Sequence, residues 1–256
     1  MSPLFRPVST LPLWVQAAFW GGIAGSALLI GALTGLFAPI RPRLIAGVMA
    51  FGAGVLIAAL SFELILEAWR IDGPVPSVIG FLGGALLFTL GNLALARYGA
   101  KHRKRSGDQL ADAGTTGGAL AFGALLDGIP EAIVIGVSLL AGEGVGMVAV
   151  TAVFLSNIPE GLASATGMRR AGYTTRSVIL LWCAIALASA LAAGLGCYLL
   201  TLDNTTSIAF VQALAAGAIL TMVIDTMVPE AFAEAHDFSG LIAVAGFLTA
   251  FVLSQS

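Results

Sequence analysis

Eight apolar runs, parted by short polar breaks, take up nearly the whole of this chain, and they dictate the solvent in which it can fold. They lie at about 11–37, 44–69, 77–97, 117–141, 145–168, 177–200, 207–233 and 239–254. A helix needs about 20 mostly apolar residues to cross the hydrocarbon of a bilayer. Only 10% of the 256 residues are charged and 58% are hydrophobic, against about 25% charged in a soluble domain. There is too little polar surface here to coat a water-soluble globule. The fold class expected is an all-α polytopic membrane protein, a single transmembrane domain over residues 1–256 with eight transmembrane helices. The first run is too long for a signal-peptide core, and no small-residue cleavage site leads into a polar start, so it reads as a retained spanning helix.

The positive charges test this count. Arg41 and Arg43 fall in the first break. Arg97, Lys101, Arg103, Lys104 and Arg105 fall in or beside the third, and Arg169, Arg170 and Arg176 in or beside the fifth. Only Arg6 and Arg70 lie on the other side. The positive-inside rule then puts the odd-numbered breaks in the cytoplasm and both termini outside, as in a bacterial inner (plasma) membrane. The loop 98–116 is the longest break. Its Lys101–Arg105 cluster reads as a topology signal against anionic lipid, with metal collection by His102 as the alternative. No basic face suggests nucleic acid. The expected partners are membrane lipid and an ion, and a homodimer is left open. Cys183 and Cys197 share one run about 21 Å apart along a helix, too far for a disulfide, and read as small buried residues. Trp14, Trp20, Trp69 and Trp182 read mostly as interfacial anchors. Gly21, Gly22, Gly31, Gly80, Gly83 and Gly84 read as helix-packing positions.

Ionisable groups within a span cost several kcal/mol unless paired or hydrated, so each is a candidate for function. The second run holds Glu63 and Glu67, the fourth Asp127 and Glu131, the fifth Ser156, Asn157 and Glu160, and the seventh Asp225, Glu230 and Glu234, with His236 at its end. Nearly all are acidic, with no Lys or Arg inside the spans to neutralise them. Such carboxylates are either protonated or hold a cation. Their spacing favours the cation. Asp127 and Glu131 are four apart, as are Ser156 and Glu160, and Glu63 and Glu67, so each pair shares a helix face. If the fourth and fifth helices face each other, Asp127, Glu131, Asn157 and Glu160 converge on an oxygen-rich cage.

Three prolines sharpen the reading. Pro130, Pro159 and Pro229 each precede a glutamate, Glu131, Glu160 and Glu230. Proline inside a helix removes one ladder bond and releases the carbonyl four residues earlier, here those of Leu126, Leu155 and Asp225. A released carbonyl beside a cation path can serve as a ligand or a water anchor, as in the interrupted helices of transporters.

The eight-run layout and the paired segments Asp127-Gly-Ile-Pro-Glu131-Ala and Ser156-Asn-Ile-Pro-Glu160-Gly resemble the ZIP (Zrt-, Irt-like) family of divalent metal transporters over essentially the whole chain. The resemblance implies a 3+2+3 arrangement in which helices 1–3 and 6–8 form an inverted repeat around helices 4 and 5. It implies that Glu131 and Glu160 are the metal-bridging glutamates. Asp127 stands where the family motif has histidine, and Gly128 where it has asparagine. The sixth run has no carboxylate. One site is therefore expected, from Asp127, Glu131, Glu160 and Ser156 or Asn157. Glu63, Glu67, Asp225 and Glu230 are pathway or secondary residues, with Glu63 and Asp225 as entry, exit or proton groups. The family makes zinc the default cargo, with Fe²⁺ and Mn²⁺ close behind, since all-oxygen sites also suit harder ions.

The function expected is carriage of a divalent metal into the cytoplasm, the metal being substrate and no cofactor being needed. A proton or small organic solute transporter is the alternative. An intramembrane hydrolase is disfavoured because there is no His-Glu-x-x-His pair, and the protein is not expected to be an enzyme.

Overall fold

The computed structural model describes residues 10–97, 117–140, 147–201, 204–235 and 237–254. The 98–116 loop with His102, together with Arg6 and His236, lies outside them. The described residues are chiefly helical, with no strand among them, and form eight rods. These are α1 (Leu13–Phe37), α2 (Pro42–Ala59, then a π turn Leu60–Ile65, then Leu66–Asp72), α3 (Pro74–Arg97) and α4 (Gly117–Ser138). They continue with α5 (Met147–Arg170), α6 (Thr175–Thr201), α7 (Thr205–Met222, a π turn Val223–Met227, then Val228–Ala235) and α8 (Ser239–Ser254).

Local chemistry explains the ends. Pro42 sits in the first turn of α2 and Pro74 opens α3, where a missing N–H costs nothing. Between α2 and α3, Gly73 turns the chain at φ 75°, a region that glycine enters without penalty. Tyr173 N–H reaches back to the Met168 carbonyl at 3.0 Å as Gly172 turns at φ 85°, closing α5 in a Schellman manner. Asn204 caps α7 by accepting from Ser207 N–H at 3.0 Å.

Six rods are long and apolar enough to cross a membrane by length and composition: Leu13–Phe37, Pro42–Asp72, Pro74–Arg97, Ala121–Ser138, Thr175–Thr201 and Thr205–Ala233. The other two differ for separate reasons. Rod α8 has 16 residues. Rod α5 carries Ser156, Asn157, Pro159, Glu160, Arg169 and Arg170, so the polar groups of interest themselves dilute its hydropathy. Leucines at Leu82, Leu86 and Leu93 of α3, and Leu187, Leu191 and Leu195 of α6, point away from the bundle. That surface suits lipid tails.

Rod α5 packs chiefly on α1 and α2, and α4 on α6 and α7, while α3 lies against α7 and α8 against α2. Glycines set these crossings. A methyl group added to Gly84 would run into the Leu214 carbonyl, and one added to Gly217 into the Phe81 carbonyl. The same reciprocity joins Gly54 to Ala243 and Gly246 to Phe51, and Gly31 to Ile158 and Gly161 to Leu28. Small residues let backbones approach this closely, and in lipid such contact is much of what holds helices together. Each π turn begins at the sixth residue after its packed glycine, Leu60 after Gly54 and Val223 after Gly217.

Three local expectations are corrected. Trp20 and Trp182 are each only 4% exposed and fill the core rather than anchor an interface, because both face neighbouring rods. Trp14 and Trp69 are exposed at rod ends. Cys183 is exposed on α6 while Cys197 is buried, and both are free thiols. Gly83 faces open space, where an added methyl group would meet nothing, so it is not a packing position.

Candidate metal site

Rods α4 and α5 run unbroken through Pro130 and Pro159. Each proline therefore removes one ladder bond without unwinding the helix, and the Leu126 and Leu155 carbonyls lose their usual donors. The polar residues beside these prolines are buried: Asp127 2%, Glu131 1%, Ser156 0%, Asn157 3% and Glu160 4% exposed. A buried carboxylate or amide is costly unless something satisfies it. Four such residues and the Ser156 hydroxyl, on two helices, mark a place where burial of oxygen is maintained against that cost.

The surroundings fix several of these groups. Asn157 Nδ2 donates to the Ala24 carbonyl of α1 at 2.9 Å. That bond orients the amide and leaves Oδ1 buried with no hydrogen-bond donor. A buried amide oxygen with both lone pairs spare is a natural cation ligand. Ser156 Oγ donates to the Val153 carbonyl at 2.9 Å, which leaves its lone pairs free to accept. Rod α2 packs over this face of α5, and the Met227 side chain of α7 reaches the same spot. Gly52 stands where a methyl group would lie 2.9 Å from Pro159 Cγ, 3.3 Å from Met227 Cε and 3.5 Å from Ser156 Cα. On α4, Gly128 lies beside Ser189 Oγ of α6.

Among the described residues, no three His, Cys, Asp or Glu side chains come close enough together to hold a metal ion. The carboxylates alone do not form a closed cage, because α4 and α5 are each packed mainly on other rods. A metal bound here would have to draw on Asn157 Oδ1, Ser156 Oγ or the carbonyls released by proline as well.

The remaining acidic residues are dispersed. Glu63 lies in the π turn of α2 and lines a cavity with Leu60, Val134, Val153 and Ile219, with room for about one water. The other side chains that line it are apolar, and none of the five buried polar residues of α4 and α5 is among them. Glu67 is partly exposed and faces Arg70 at 3.7 Å, a surface pair worth about 0–1 kcal/mol. Asp225 is exposed in the π turn of α7, where Asn92 Nδ2 of α3 donates to its Oδ2 at 3.4 Å. Glu230, in contrast, is 2% exposed.

Uncharged amides carry a weaker signal in the sequence and escape a search for ionisable groups. Gln212 of α7 is 2% exposed and donates from Nε2 to the Glu63 carbonyl at 3.0 Å. Gln16 is 7% exposed and donates to the Leu11 carbonyl. A glutamine standing alone in an apolar run is the signal that could have found them.

No family model matches the chain. A protein of Arabidopsis thaliana named "Putative zinc transporter" is 29% identical over 231 residues, which are 89% of this chain and 35% of that protein. The chain thus spans about a third of the length of that relative.

Proposed function

We propose that this protein is a carrier that moves a divalent metal ion, zinc by default and Fe²⁺ or Mn²⁺ as close alternatives, across a membrane into the cytoplasm. The observation that carries the reading is the burial of Asp127, Glu131, Ser156, Asn157 and Glu160 on two proline-containing helices. Asn157 Oδ1 adds a ligand atom held without a hydrogen-bond donor. The likeness to a plant protein named for zinc transport points the same way.

The wider architecture in this reading is that of a ZIP carrier, eight spans with helices 1–3 and 6–8 as an inverted repeat. The reciprocal glycine crossings support it, since exchanging α3 and α7 for α8 and α2 turns one set of contacts into the other. The equal spacing from packed glycine to π turn in α2 and α7 supports it too. Arg169 Nη1 donates to the Leu36 carbonyl, so the basic end of α5 and the end of α1 share a face of the bundle. That fits a cytoplasmic placement of both. Binding would occur between α4 and α5, with Glu63 and Asp225 on the path. Carboxylates bind metal only when deprotonated, so metal and protons compete for the site.

The test is uptake of radiolabelled zinc into proteoliposomes, with Fe²⁺, Mn²⁺, Cd²⁺ and Mg²⁺ as competitors. Saturable uptake that divalent transition metals inhibit supports the carrier. Uptake indifferent to every metal, or transport of an organic solute in its place, contradicts it.

A further inference from the structure

Rods α2 and α7 carry one pattern twice and run in opposite directions. With Gly54 set on Gly217, the π turns begin together at Leu60 and Val223. Glu67-Ala68-Trp69 then falls on Glu230-Ala231-Phe232. The directions follow from the packing: Leu66–Asp72 lies on Thr205–Met222, and Val228–Ala235 lies on Pro42–Ala59. Each end of the pair therefore joins the start of one rod to the finish of the other. Ala231 shares a buried cluster with Ile45 at one end, and Ala68 shares one with Ala209 at the other. The Ile45 end lies beside Arg41 and Arg43, so it is the cytoplasmic end in the transport reading.

Two copies of one pattern are buried alike if both ends are in the same state. Matched residues of identical type mostly are. Ala46 and Ala209, Ala50 and Ala213, Ala53 and Ala216, and Ala68 and Ala231 are all buried. Val48 and Val211 are both half-buried. Two identical pairs break the match. Ile45 is fully buried whereas its match Ile208 is half-buried. Glu230 is 2% exposed whereas its match Glu67 is partly exposed. Both differences run the same way: the end with Ile45 and Glu230 is shut, and the end with Ile208 and Glu67 is open. Arg70, which faces Glu67 at 3.7 Å, has Ala233 as its match, but that local difference accounts for neither isoleucine.

We infer that Glu67 and Glu230 are matched residues at two mouths, that the outer mouth is open and the inner one shut in this structure, and that the opposite state exposes Glu230 and Ile45 while it covers Glu67 and Ile208. Inverted halves that rock about a fixed site exchange their surroundings in this way. This deepens the transport reading and rests on it for the cargo and for which end is inner, though not for the exchange.

The test footprints the native carboxylates of the full chain in proteoliposomes. A water-soluble carbodiimide and an amine nucleophile are applied to both faces, and peptide mass spectrometry reads each glutamate. At rest Glu67 should label at least about tenfold faster than Glu230, the opposite state being a minority. External zinc that drives measured uptake should raise labelling of Glu230 and lower that of Glu67, each by about threefold or more. A second arm needs no metal. Ile45→Asn puts an amide into the shut cluster, and a two-state exchange then raises Glu230 labelling and lowers Glu67 labelling together. Local unpacking would raise Glu230 alone. If Ile45→Asn does not elute as wild type does, the zinc arm, which uses the native sequence, decides. Glu230 labelling as readily as Glu67 at rest, a rise at Glu230 with no fall at Glu67, or zinc uptake with neither label changed overturns the inference. If no metal is taken up while Ile45→Asn still exchanges the two labels, the transport reading fails and the exchange stands.

Discussion

Asn157 of α5 gives its amide N–H to the Ala24 carbonyl of α1, 2.9 Å away, and this single bond decides which atom of the side chain faces inward. With Nδ2 committed, Oδ1 is left buried and without a donor. Rod α1, which carries no ionisable residue over Leu13–Phe37, thus orients a candidate ligand atom that belongs to α5.

Replacing Asn157 by leucine removes both the tie to α1 and the spare oxygen. Zinc uptake at subsaturating concentration should fall by about tenfold or more, with a stability loss of about 1–2 kcal/mol from the missing bond. Asn157→Asp keeps an oxygen but cannot donate to the Ala24 carbonyl, so it should lose stability too. Thermal unfolding in detergent beside vesicle uptake measures both effects.

Glycine substitutions separate packing from lipid exposure within one helix. Gly84→Leu drives its first side-chain carbon into the Leu214 carbonyl, whereas the same carbon at Gly83 meets nothing. The first should abolish monodisperse protein or cost about 3 kcal/mol or more, as overpacking does. The second should stay near wild type. Size-exclusion profiles and melting temperatures of the two neighbours decide the matter.

Pro130→Ala and Pro159→Ala restore a donor to the Leu126 and Leu155 carbonyls. Restoring a helical ladder bond should stabilise each rod, since interior proline costs about 3 kcal/mol. Transport should fall, because the carbonyls are no longer released. A variant that melts higher and transports less fits this account. One that melts higher and transports as well as wild type removes the carbonyls from the site.

How far the chain was readable depends on which physical rule governed each residue. The apolar runs were plain because a bilayer forces whole helices to be apolar. Rod α5 was harder, because Ser156, Asn157, Pro159 and Glu160 sit where a purely apolar stretch is expected. Asp127, Glu131 and Glu160 stood out because charge within a span is costly. Gln212 did not, since an uncharged amide carries a smaller penalty and its partner is a backbone carbonyl 149 positions away. The π turn at Leu60–Ile65 contains neither the proline nor the glycine that would announce an irregular helix. Trp20 and Trp182 misled because aromatic residues near run ends suit either an interface or a core, and only the neighbouring rods choose between them. Gly83 and Gly84 differ only in the face they occupy, and no run of small residues reveals which face meets a partner.

Competition between protons and metal gives a prediction without any transport assay. Binding to deprotonated carboxylates should weaken as pH falls, and metal titrated into protonated sites should displace protons. Calorimetry in buffers of different ionisation enthalpy measures the number released. A site made of neutral oxygens alone would release none.

The central claim is that Glu131 and Glu160 hold the transported ion, and initial rates of radiolabelled zinc uptake by proteoliposomes test it most directly. Glu131→Ala and Glu160→Ala, reconstituted at equal protein density and checked for an unchanged elution profile, should each transport at least about 100-fold more slowly than wild type. Wild-type rates from both variants would contradict the assignment and move the site away from α4 and α5.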